Sequence, residues 1–401
     1  MIRGAAAALL ALAASVAAAL DFDPAERAAI LSHGPWPPAP TADTSNRVAG
    51  HAAAIALGAR LFFDGRLSAD GRVSCASCHD PARHFQDGRA TAVGRAVGTR
   101  NTPSVIDSGG QRWYGWDGAS DSLWAASLRA MMQPGEMGGT PATAAALVRG
   151  DPTVREAYRA TFGAPGADDE RVQVDLAKAL DAWLTTRVSP RTAFDDFRDA
   201  MERGDEAAAA RYPEAAQRGL RLFVGEARCN TCHAGPRFSN GEFADIGLPF
   251  FLPGGGVDPG RHAGLRALKG NPFNRLGRFA DDGGAGAVAT RHVQAEHRNF
   301  GEFKVPTLRG LAHTAPYMHH GRLPALDDVL RHYNLIDEER LHADGARLLR
   351  PLGLSAAQLA DLRAFLLSLS EPLPSQATPG APHVGAKGGP GGGASPSGPA
   401  R

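Results

Sequence analysis

Apolar residues recur at helical spacing in several stretches of the chain, and no stretch shows the sustained alternation of a run of β-strands. The clearest helix follows Ser355, an N-cap residue with Gln358 at the capping-box position and Pro372 beyond the end. Further helices are predicted near Ala52, from about Ser120, over Val172–Arg187 and along the apolar face of Leu326, Val329, Leu330 and Tyr333. The predicted fold class is all-α, with helices joined by long loops.

Two segments lack this helical pattern. Asp23–Ala49 has a cluster of prolines around Trp36. Because proline fixes its own backbone angle and lacks an amide donor, we expect an extended arm there, anchored by Trp36. Phe243–Gly301 is rich in glycine and proline and is predicted to be mostly loop.

The two ends of the chain have distinct compositions. Residues 1–20 combine a positive Arg3, an apolar run and small residues at a cleavage position, which is the pattern of a secretory signal peptide. The run is short for a membrane span, which needs about 20 residues, so no stable membrane insertion is expected after cleavage, with an uncleaved anchor as the alternative. Residues 376–401 are rich in Gly, Pro, Ala and Ser and are predicted to be disordered.

The chain contains a diverged internal repeat. Gly58–Phe62 reads GARLF and resembles Gly219–Phe223, which reads GLRLF. A chain of 401 residues is long enough for two domains, so one domain is expected over residues 21–205 and another over residues 206–375. The formal net charge of +1 provides no electrostatic basis for nucleic-acid binding.

All 4 cysteines lie in two copies of one motif, C-x-x-C-H, formed by Cys75, Cys78 and His79 and again by Cys229, Cys232 and His233. Two thiols at this spacing can each bond to one vinyl group of the same porphyrin, and the following histidine can bind the iron. The motif therefore predicts two covalently bound haem c groups. A zinc site shared by both cysteine pairs and two short disulfides are the alternatives.

The two motifs belong to a longer series of stretches, namely LFFDGRLSADGRVSCASCHDP, RNTPSV, WDG, PGEMGG, RLFVGEARCNTCHAG, VDPGR and FKVPTLRGLAHTAPYMHHGR. The series extends from Leu61 to about Tyr333 and resembles the bacterial di-haem cytochrome c peroxidases and their MauG-like relatives. The resemblance implies two cytochrome c-like helical domains with one haem each. The N-terminal haem would react with peroxide, and the C-terminal haem would store and relay electrons.

The resemblance also implies roles for single residues. His79 and His233 would be the proximal ligands of the first and the second haem. Trp116 would lie between the haems, although by itself it reads as a buried core aromatic. Glu136 matches the acidic residue over the peroxide-binding face, where a carboxylate can move a proton from one peroxide oxygen to the other. Without its motif, Glu136 would read as a solvated loop residue.

Several positions near the first haem depart from the family pattern. Ala126 and Ala130 stand where a glutamine and a proline are common, and Ala119 stands where an arginine is usual, which predicts a less polar pocket. Many of the peroxidases carry a removable distal histidine in the loop matching Thr91–Arg100. This loop contains no histidine, and His84 lies too early to match. We therefore expect the first haem to be five-coordinate and open.

The second axial ligand of the C-terminal haem separates the subclasses. The ordinary peroxidases have methionine there and the MauG-like enzymes have tyrosine, and the spacing from His319 assigns the position to Tyr333. The alternatives are that Tyr333 is a plain core residue or that Met318 binds the iron. An anionic tyrosine oxygen suits higher oxidation states, whereas methionine raises the haem potential.

The family also holds a calcium ion between its domains. The matching positions are the side chain of Asn101 and the backbone carbonyls of Thr314 and Pro316. Oxygen donors of this kind suit calcium. Alternatively, Asn101 caps its own turn.

These features predict a periplasmic di-haem c peroxidase, since export agrees with the attachment of c-type haem outside the bacterial cytoplasm. Its partners would be hydrogen peroxide and a small periplasmic electron donor such as a cytochrome c or a cupredoxin. One alternative is a MauG-like oxidase that modifies a partner protein or a metabolite. The other is a non-enzymatic electron-transfer cytochrome, which an open first haem disfavours.

Overall fold

The computed structural model describes residues 20–41, 43–249, 251–252, 255–345 and 348–371. The predicted tail, Pro372 and all of the predicted signal peptide except Leu20 lie outside these ranges. Within them, no helix is both long enough and apolar enough to span a membrane.

The described chain is mostly helical, as predicted. Its helices are α1 (Pro24–Leu31), α2 (Ala52–Phe62), α3 (Leu123–Met132), α4 (Pro141–Gly150), α5 (Pro152–Phe162), α6 (Asp169–Leu184), α7 (Ala193–Arg203), α8 (Glu206–Ala209), α9 (Glu214–Val224), α10 (Arg261–Gly270), α11 (Val288–His292), α12 (Leu326–Asn334) and α13 (Ala356–Leu367). The strands β1 (Phe243–Ala244) and β2 (Phe303–Lys304) pair antiparallel, with Phe243 opposite Lys304. Loops and short 3-10 turns connect these elements.

Local capping explains where the predicted helices begin. Ser355 caps α13 and forms the expected capping box with Gln358. Helix α3 starts a little later than predicted because its N-cap is Ser122, whose hydroxyl accepts a bond from the third helical residue. Helix α6 starts and ends three residues before the predicted bounds, and Asp168 caps its first turn.

One helix occurs in the segment predicted to be extended. Helix α1 begins with a capping box between Asp23 and Glu26 and has Pro24 in its first turn, where a missing amide donor costs nothing. The proline-rich part follows the helix. Trp36 anchors it as predicted, since its buried indole donates a 2.9 Å hydrogen bond to the carbonyl of Ser189.

Another helix interrupts the segment predicted to be mostly loop. Helix α10 buries Leu265 and Leu268 against Trp113, which lies far away in the sequence. The prediction missed this helix because few apolar residues mark it, and its packing partner comes from another part of the chain.

Buried side chains form two main clusters. The first gathers residues of α2 to α6, including Leu61 and Trp124, and the second gathers residues of α7, α9, α12 and α13, including Phe223 and Phe365. Helix α7 belongs to the second cluster although it precedes the boundary predicted between residues 205 and 206. That boundary and the division into two cytochrome c-like domains stay predictions.

The GARLF and GLRLF segments have the same role in the two clusters. Gly58 of α2 lies so close to α6 that a Cβ atom would clash with the carbonyl of Ala179. Gly219 of α9 lies equally close to α13, where a Cβ atom would clash with the carbonyl of Asp361. Glycine therefore allows both helix pairs to cross at short distance.

A second repeat, not recognised in the sequence, follows each haem motif. Each copy has a turn closed by an isolated antiparallel bridge, between Tyr114 and Ser120 in the first and between Tyr317 and Leu323 in the second. Helix α3 follows the first turn and α12 follows the second. In this register, Ala130 on α3 corresponds to Tyr333 on α12.

Candidate haem-binding sites

The first C-x-x-C-H motif forms a tight turn. The amide of His79 donates to the carbonyl of Cys75 over 2.8 Å, and a 3-10 turn spans Cys75–Ser77. The ring atom Nδ1 of His79 lies 3.2 Å from the carbonyl oxygen of Phe85. Because a carbonyl only accepts hydrogen bonds, Nδ1 carries the proton and Nε2 keeps the lone pair that an iron ion needs.

The second motif repeats this geometry. The amide of His233 donates to the carbonyl of Cys229 over 2.9 Å, and Nδ1 of His233 lies 2.9 Å from the carbonyl oxygen of Phe238. Phe85 and Phe238 both adopt positive φ, at 57° and 51°, which is uncommon for a bulky residue. The shared strain indicates that each phenylalanine backbone is held in place for its carbonyl.

A hydroxyl group fixes the loop before each of these carbonyls. Ser104 donates to the carbonyl of His84, and Thr307 donates to the carbonyl of Arg237, both over 2.7 Å. His84 and Arg237 directly precede the two phenylalanines. Sequence reasoning missed these contacts, although Ser104 and Thr307 each follow the proline of a matching motif and so carry a signal.

The cysteines fit covalent haem attachment better than either alternative. The four cysteines form no disulfide with one another, in contrast to the disulfide alternative. Among the described residues, the clusters of three or more metal-binding side chains contain no cysteine, so the two pairs do not share a zinc site. Burial raises the pKa of Cys75 and of Cys229 to about 12. Paired thiols followed by a histidine with a free Nε2 match the donor set of haem c.

Glu136 lies beside the first motif. Burial raises the pKa of the Cys78 thiol, and the charges of Asp87 and Glu136 raise it further. The protein around the Glu136 carboxyl desolvates it and raises its pKa, while nearby Arg129 acts in the opposite direction. The residue as a whole stays accessible to solvent, so the carboxyl group can exchange protons.

The loop Thr91–Arg100, which contains no histidine, is held against the turn that carries Glu136. The amide of Arg95 donates to the carbonyl of Glu136 over 3.0 Å, and that of Ala96 donates to the carbonyl of Gly135 over 2.9 Å. A Cβ atom on Gly94 would lie 2.7 Å from the carbonyl oxygen of Glu136, so glycine is needed for this approach. The contact holds the Glu136 backbone in position.

Trp116 makes hydrogen bonds to segments from both halves of the chain. Its indole donates to the carbonyl of Asn101 over 2.8 Å, and its own carbonyl accepts from the amide of Lys304 over 2.8 Å. The side chain of Lys304 is desolvated by burial, which lowers its pKa to about 7, and its ammonium lies 5.8 Å from the ring centre of Tyr114. Trp116 therefore joins the segments that follow the two haem motifs.

Three of the matching sequence stretches meet at Arg100. Its guanidinium binds Asp117 of WDG over 2.6 Å and both carboxylate oxygens of Asp258 of VDPGR over 2.7 and 2.8 Å. Charge-assisted, bidentate bonds of this kind are strong and directional. They hold the turn of Trp116 against the segment that contains Asn101.

Tyr333 lies beside the second motif. Burial raises the pKa of its phenol, and the thiols of Cys229 and Cys232 raise it further. Leu326 and Leu330 are buried on the same helix, as the apolar face predicted. Iron binding by the phenol oxygen stays a prediction.

The repeat distinguishes Tyr333 from Met318, the alternative axial ligand of the second haem. Met318 has a φ of 72° and stands in its turn where Gly115, with a φ of 79°, stands in the other copy. Met318 is thus a turn residue, whereas Tyr333 occupies the helix position that corresponds to Ala130 in the first copy of the repeat. The two sites match in their histidines and carbonyls and differ at this position.

A hydrogen bond joins the two segments that contain the residues predicted to bind calcium. The side-chain nitrogen of Asn101 donates to the carbonyl of Arg89, which leaves its Oδ1 as the ligand atom for a cation. The backbone amide of Asn101 donates to the carbonyl of His319, three residues beyond Pro316 and five beyond Thr314. The oxygen donors suit calcium, and the site stays a prediction.

Comparisons with known proteins extend these observations. Residues 52–203 match the family model described as di-haem cytochrome c peroxidase. The methylamine utilization protein MauG of Methylorubrum extorquens is 33% identical, with 79% of this chain and 77% of that protein covered. The cytochrome-c peroxidase IdrP1 of Denitromonas iodatirespirans is 34% identical, with 85% of this chain and 87% of that protein covered.

Solved structures show the same fold. A MauG-like protein associated with microbial copper homeostasis superposes with a TM-score of 0.65 at 26% identity, covering 84% of this chain and 96% of its own. The di-haem peroxidase BthA of Burkholderia thailandensis superposes with a TM-score of 0.63 at 22% identity, covering 83% and 89%. The helical fold and the paired C-x-x-C-H sites define a di-haem c-type oxidoreductase. The chain belongs to the family of di-haem cytochrome c peroxidases and MauG proteins.

Proposed function

We propose that the protein is a periplasmic peroxidase that reduces hydrogen peroxide at the N-terminal haem with electrons relayed through the C-terminal haem. The asymmetry between two otherwise matching sites carries this proposal. Glu136 lies near the first motif. Tyr333 on α12 lies near the second motif, and the position on α3 that corresponds to it holds Ala130. A methyl group at this position would leave room for a small substrate over the first haem, whereas the tyrosine would fill the corresponding space over the second.

Glu136 would handle the protons of the reaction. Reducing one hydrogen peroxide consumes two electrons and two protons and yields two water molecules, and the bound haem groups supply the redox chemistry. The carboxylate of Glu136 would take a proton from one peroxide oxygen and deliver it to the other, which leaves as water. Proton transfer by a positioned side chain typically contributes roughly 10²–10⁴-fold in rate.

The other residues of the site would position and connect the two haem groups. His79 and His233, each fixed by a backbone carbonyl, would hold the irons through Nε2. Trp116 would mediate electron transfer, and its hydrogen bonds to both halves support a fixed ring orientation. A calcium ion at Asn101 would stabilise this region. A small periplasmic cytochrome c or cupredoxin would supply the electrons.

A MauG-like oxidase acting on a partner protein or a metabolite is the second candidate, and Tyr333 is the observation that favours it. A phenolate is an anionic oxygen donor, which lowers a haem potential relative to methionine and suits higher oxidation states. With such a ligand, the second haem would accept electrons poorly from ordinary cytochromes. Ala126 and Ala119, in place of polar residues, point in the same direction.

Peroxide addition to the purified haem-loaded protein, with a reduced cytochrome c present, separates the candidates. For the peroxidase we expect rapid oxidation of the cytochrome at a stoichiometry of two per peroxide. Slow cytochrome oxidation together with a long-lived spectral change would favour the oxidase. No reaction of either kind would leave an electron-transfer cytochrome and would contradict the proposal.

A further inference from the structure

A cluster of potential metal ligands lies outside the haem motifs and outside the predicted calcium site. His84, His313 and Glu371 come from three distant parts of the chain, and one ligand atom of each lies within 4.8 Å of those of the other two. Nδ1 of His84 is 3.4 Å from a carboxylate oxygen of Glu371, and the two imidazole rings are 5.2 Å apart. No step of peroxide reduction uses these side chains.

The surrounding backbone fixes His84. Its carbonyl accepts the hydrogen bond from Ser104, and its side chain is only 9% exposed. The imidazole packs against Gly310 with its Nε2 edge, so a Cβ atom there would collide with the ring. His84 also adopts a left-handed φ of 55°, a conformation that histidine and asparagine tolerate better than most residues. The imidazole is therefore held in one place before any ligand arrives.

The remaining two side chains are prepared for metal binding in different ways. Nε2 of His313 lies 2.9 Å from the backbone carbonyl of Glu371, so this nitrogen carries the proton and Nδ1 keeps a lone pair. The atom Oε2 of Glu371 is buried and has no hydrogen-bond partner within the part of the chain that the structure describes. Such a buried acceptor is costly to leave unsatisfied, and a bound cation would satisfy it.

We propose that His84, His313 and Glu371 form a site for a divalent transition-metal ion of the zinc or copper type. Two imidazoles and one carboxylate are common ligands of these ions, and a water molecule would complete a tetrahedral site. Calcium is a poor candidate because it prefers oxygen donors. The ion would join His84, in the loop that orients His79, to Glu371, which follows α13. It would thereby stabilise the first haem site from a distance.

A second cluster in the described chain provides a matched control. His297, His342 and Asp344 also bring their ligand atoms within 4.8 Å of one another. The side chains of His297 and Asp344 are 77% and 64% exposed, however, and the imidazole of His297 already pairs with Asp344 over 2.8 Å. Weak surface binding of metal would occur at this cluster, whereas the buried cluster should bind more tightly.

Calorimetric titration of the haem-loaded full-length protein with Zn²⁺ tests the site. We expect one tight equivalent. Glu371→Gln, which keeps the shape of the side chain, and His84→Asn, which suits the left-handed backbone, should each weaken it by at least about tenfold, while His297→Gln should leave it unchanged. Zn²⁺ should also raise the melting temperature of the wild type and not that of Glu371→Gln.

The outcomes are decisive in both directions and do not depend on peroxide turnover. Haem absorption spectra measured with a chelator present establish that each variant is folded; if His84→Asn fails this check, Glu371→Gln decides alone. The site would be rejected if the wild type lacks a saturable equivalent, if Glu371→Gln binds as the wild type does, or if His297→Gln removes the tight equivalent. Loss of peroxidase activity with Zn²⁺ binding intact would count against the proposed function only.

Discussion

The amide of Asn101 donates a 2.7 Å hydrogen bond to the carbonyl of His319, and the corresponding residues of the repeat make the reciprocal bond. There, the amide of Lys304 donates to the carbonyl of Trp116 over 2.8 Å. Each copy of the repeat thus holds the turn of the other. These two hydrogen bonds join the segments that follow the two haem motifs.

The cysteine pairs should each carry one haem. Replacing Cys75 and Cys78 with alanine should remove one haem mass from the exported protein, and replacing Cys229 and Cys232 should remove the other, because each thioether needs its own thiol. Intact-protein mass spectrometry measures both. Zinc without iron in the purified wild type would contradict the haem assignment.

Glu136→Gln should slow peroxide consumption by about 10²-fold, since the amide cannot transfer a proton, while both haem groups remain bound. Stopped-flow mixing with peroxide measures the rate, and the absorption spectrum reports the haem content. Glu338→Gln, at an exposed position far along the chain from Glu136, serves as the control and should react like the wild type. An unchanged rate in Glu136→Gln would remove this carboxyl group from the mechanism.

Tyr333→Phe should change the second haem and leave the fold nearly intact, because only one oxygen atom is lost. If the phenol oxygen binds iron, the six-coordinate signature of that haem should disappear and its reduction potential should rise, since an anionic donor is gone. Electron paramagnetic resonance and redox titration measure these changes. Wild-type spectra and potentials in the variant would make Tyr333 a core residue, and Met318→Leu would then be the next test.

The close helix crossings should not tolerate a methyl group. Gly58→Ala and Gly219→Ala should each lower the free energy of unfolding by about 1–3 kcal/mol, because the added Cβ meets a backbone carbonyl of the neighbouring helix. Gly150→Ala is the matched control, since its Cβ would have no neighbour within 4 Å. It should be neutral or stabilising by about 0.5 kcal/mol. Denaturant unfolding followed by circular dichroism compares the three.

Lys304 should make stability depend on pH. Burial lowers its pKa to about 7 in the folded protein, below its ordinary value of 10.5. Between these values the unfolded chain binds a proton that the folded chain does not, so the contribution of Lys304 to the free energy of unfolding rises with pH. Lys304→Met should flatten this rise between pH 7 and pH 10. Parallel slopes for the two proteins would show that the ammonium is not desolvated.

The sequence by itself determined the haem motifs, the capping of α13 and the apolar face of α12. These signals are local, because a C-x-x-C-H spacing or a capping box involves residues only a few positions apart. The proline-rich segment shows that local signals can compete. Its prolines predicted an extended arm, yet the capping box of Asp23 and Glu26 starts α1 at Pro24, ahead of the proline cluster around Trp36.

Only the tertiary structure decided which distant groups meet. Arg100 and Asp258 are 158 residues apart, and no residue pattern within either segment marks them as partners. The packing of α10 against Trp113 depends likewise on a partner far along the chain. Residues distant in sequence become neighbours through the path of the whole backbone, and periodicity within one segment contains no information on that path.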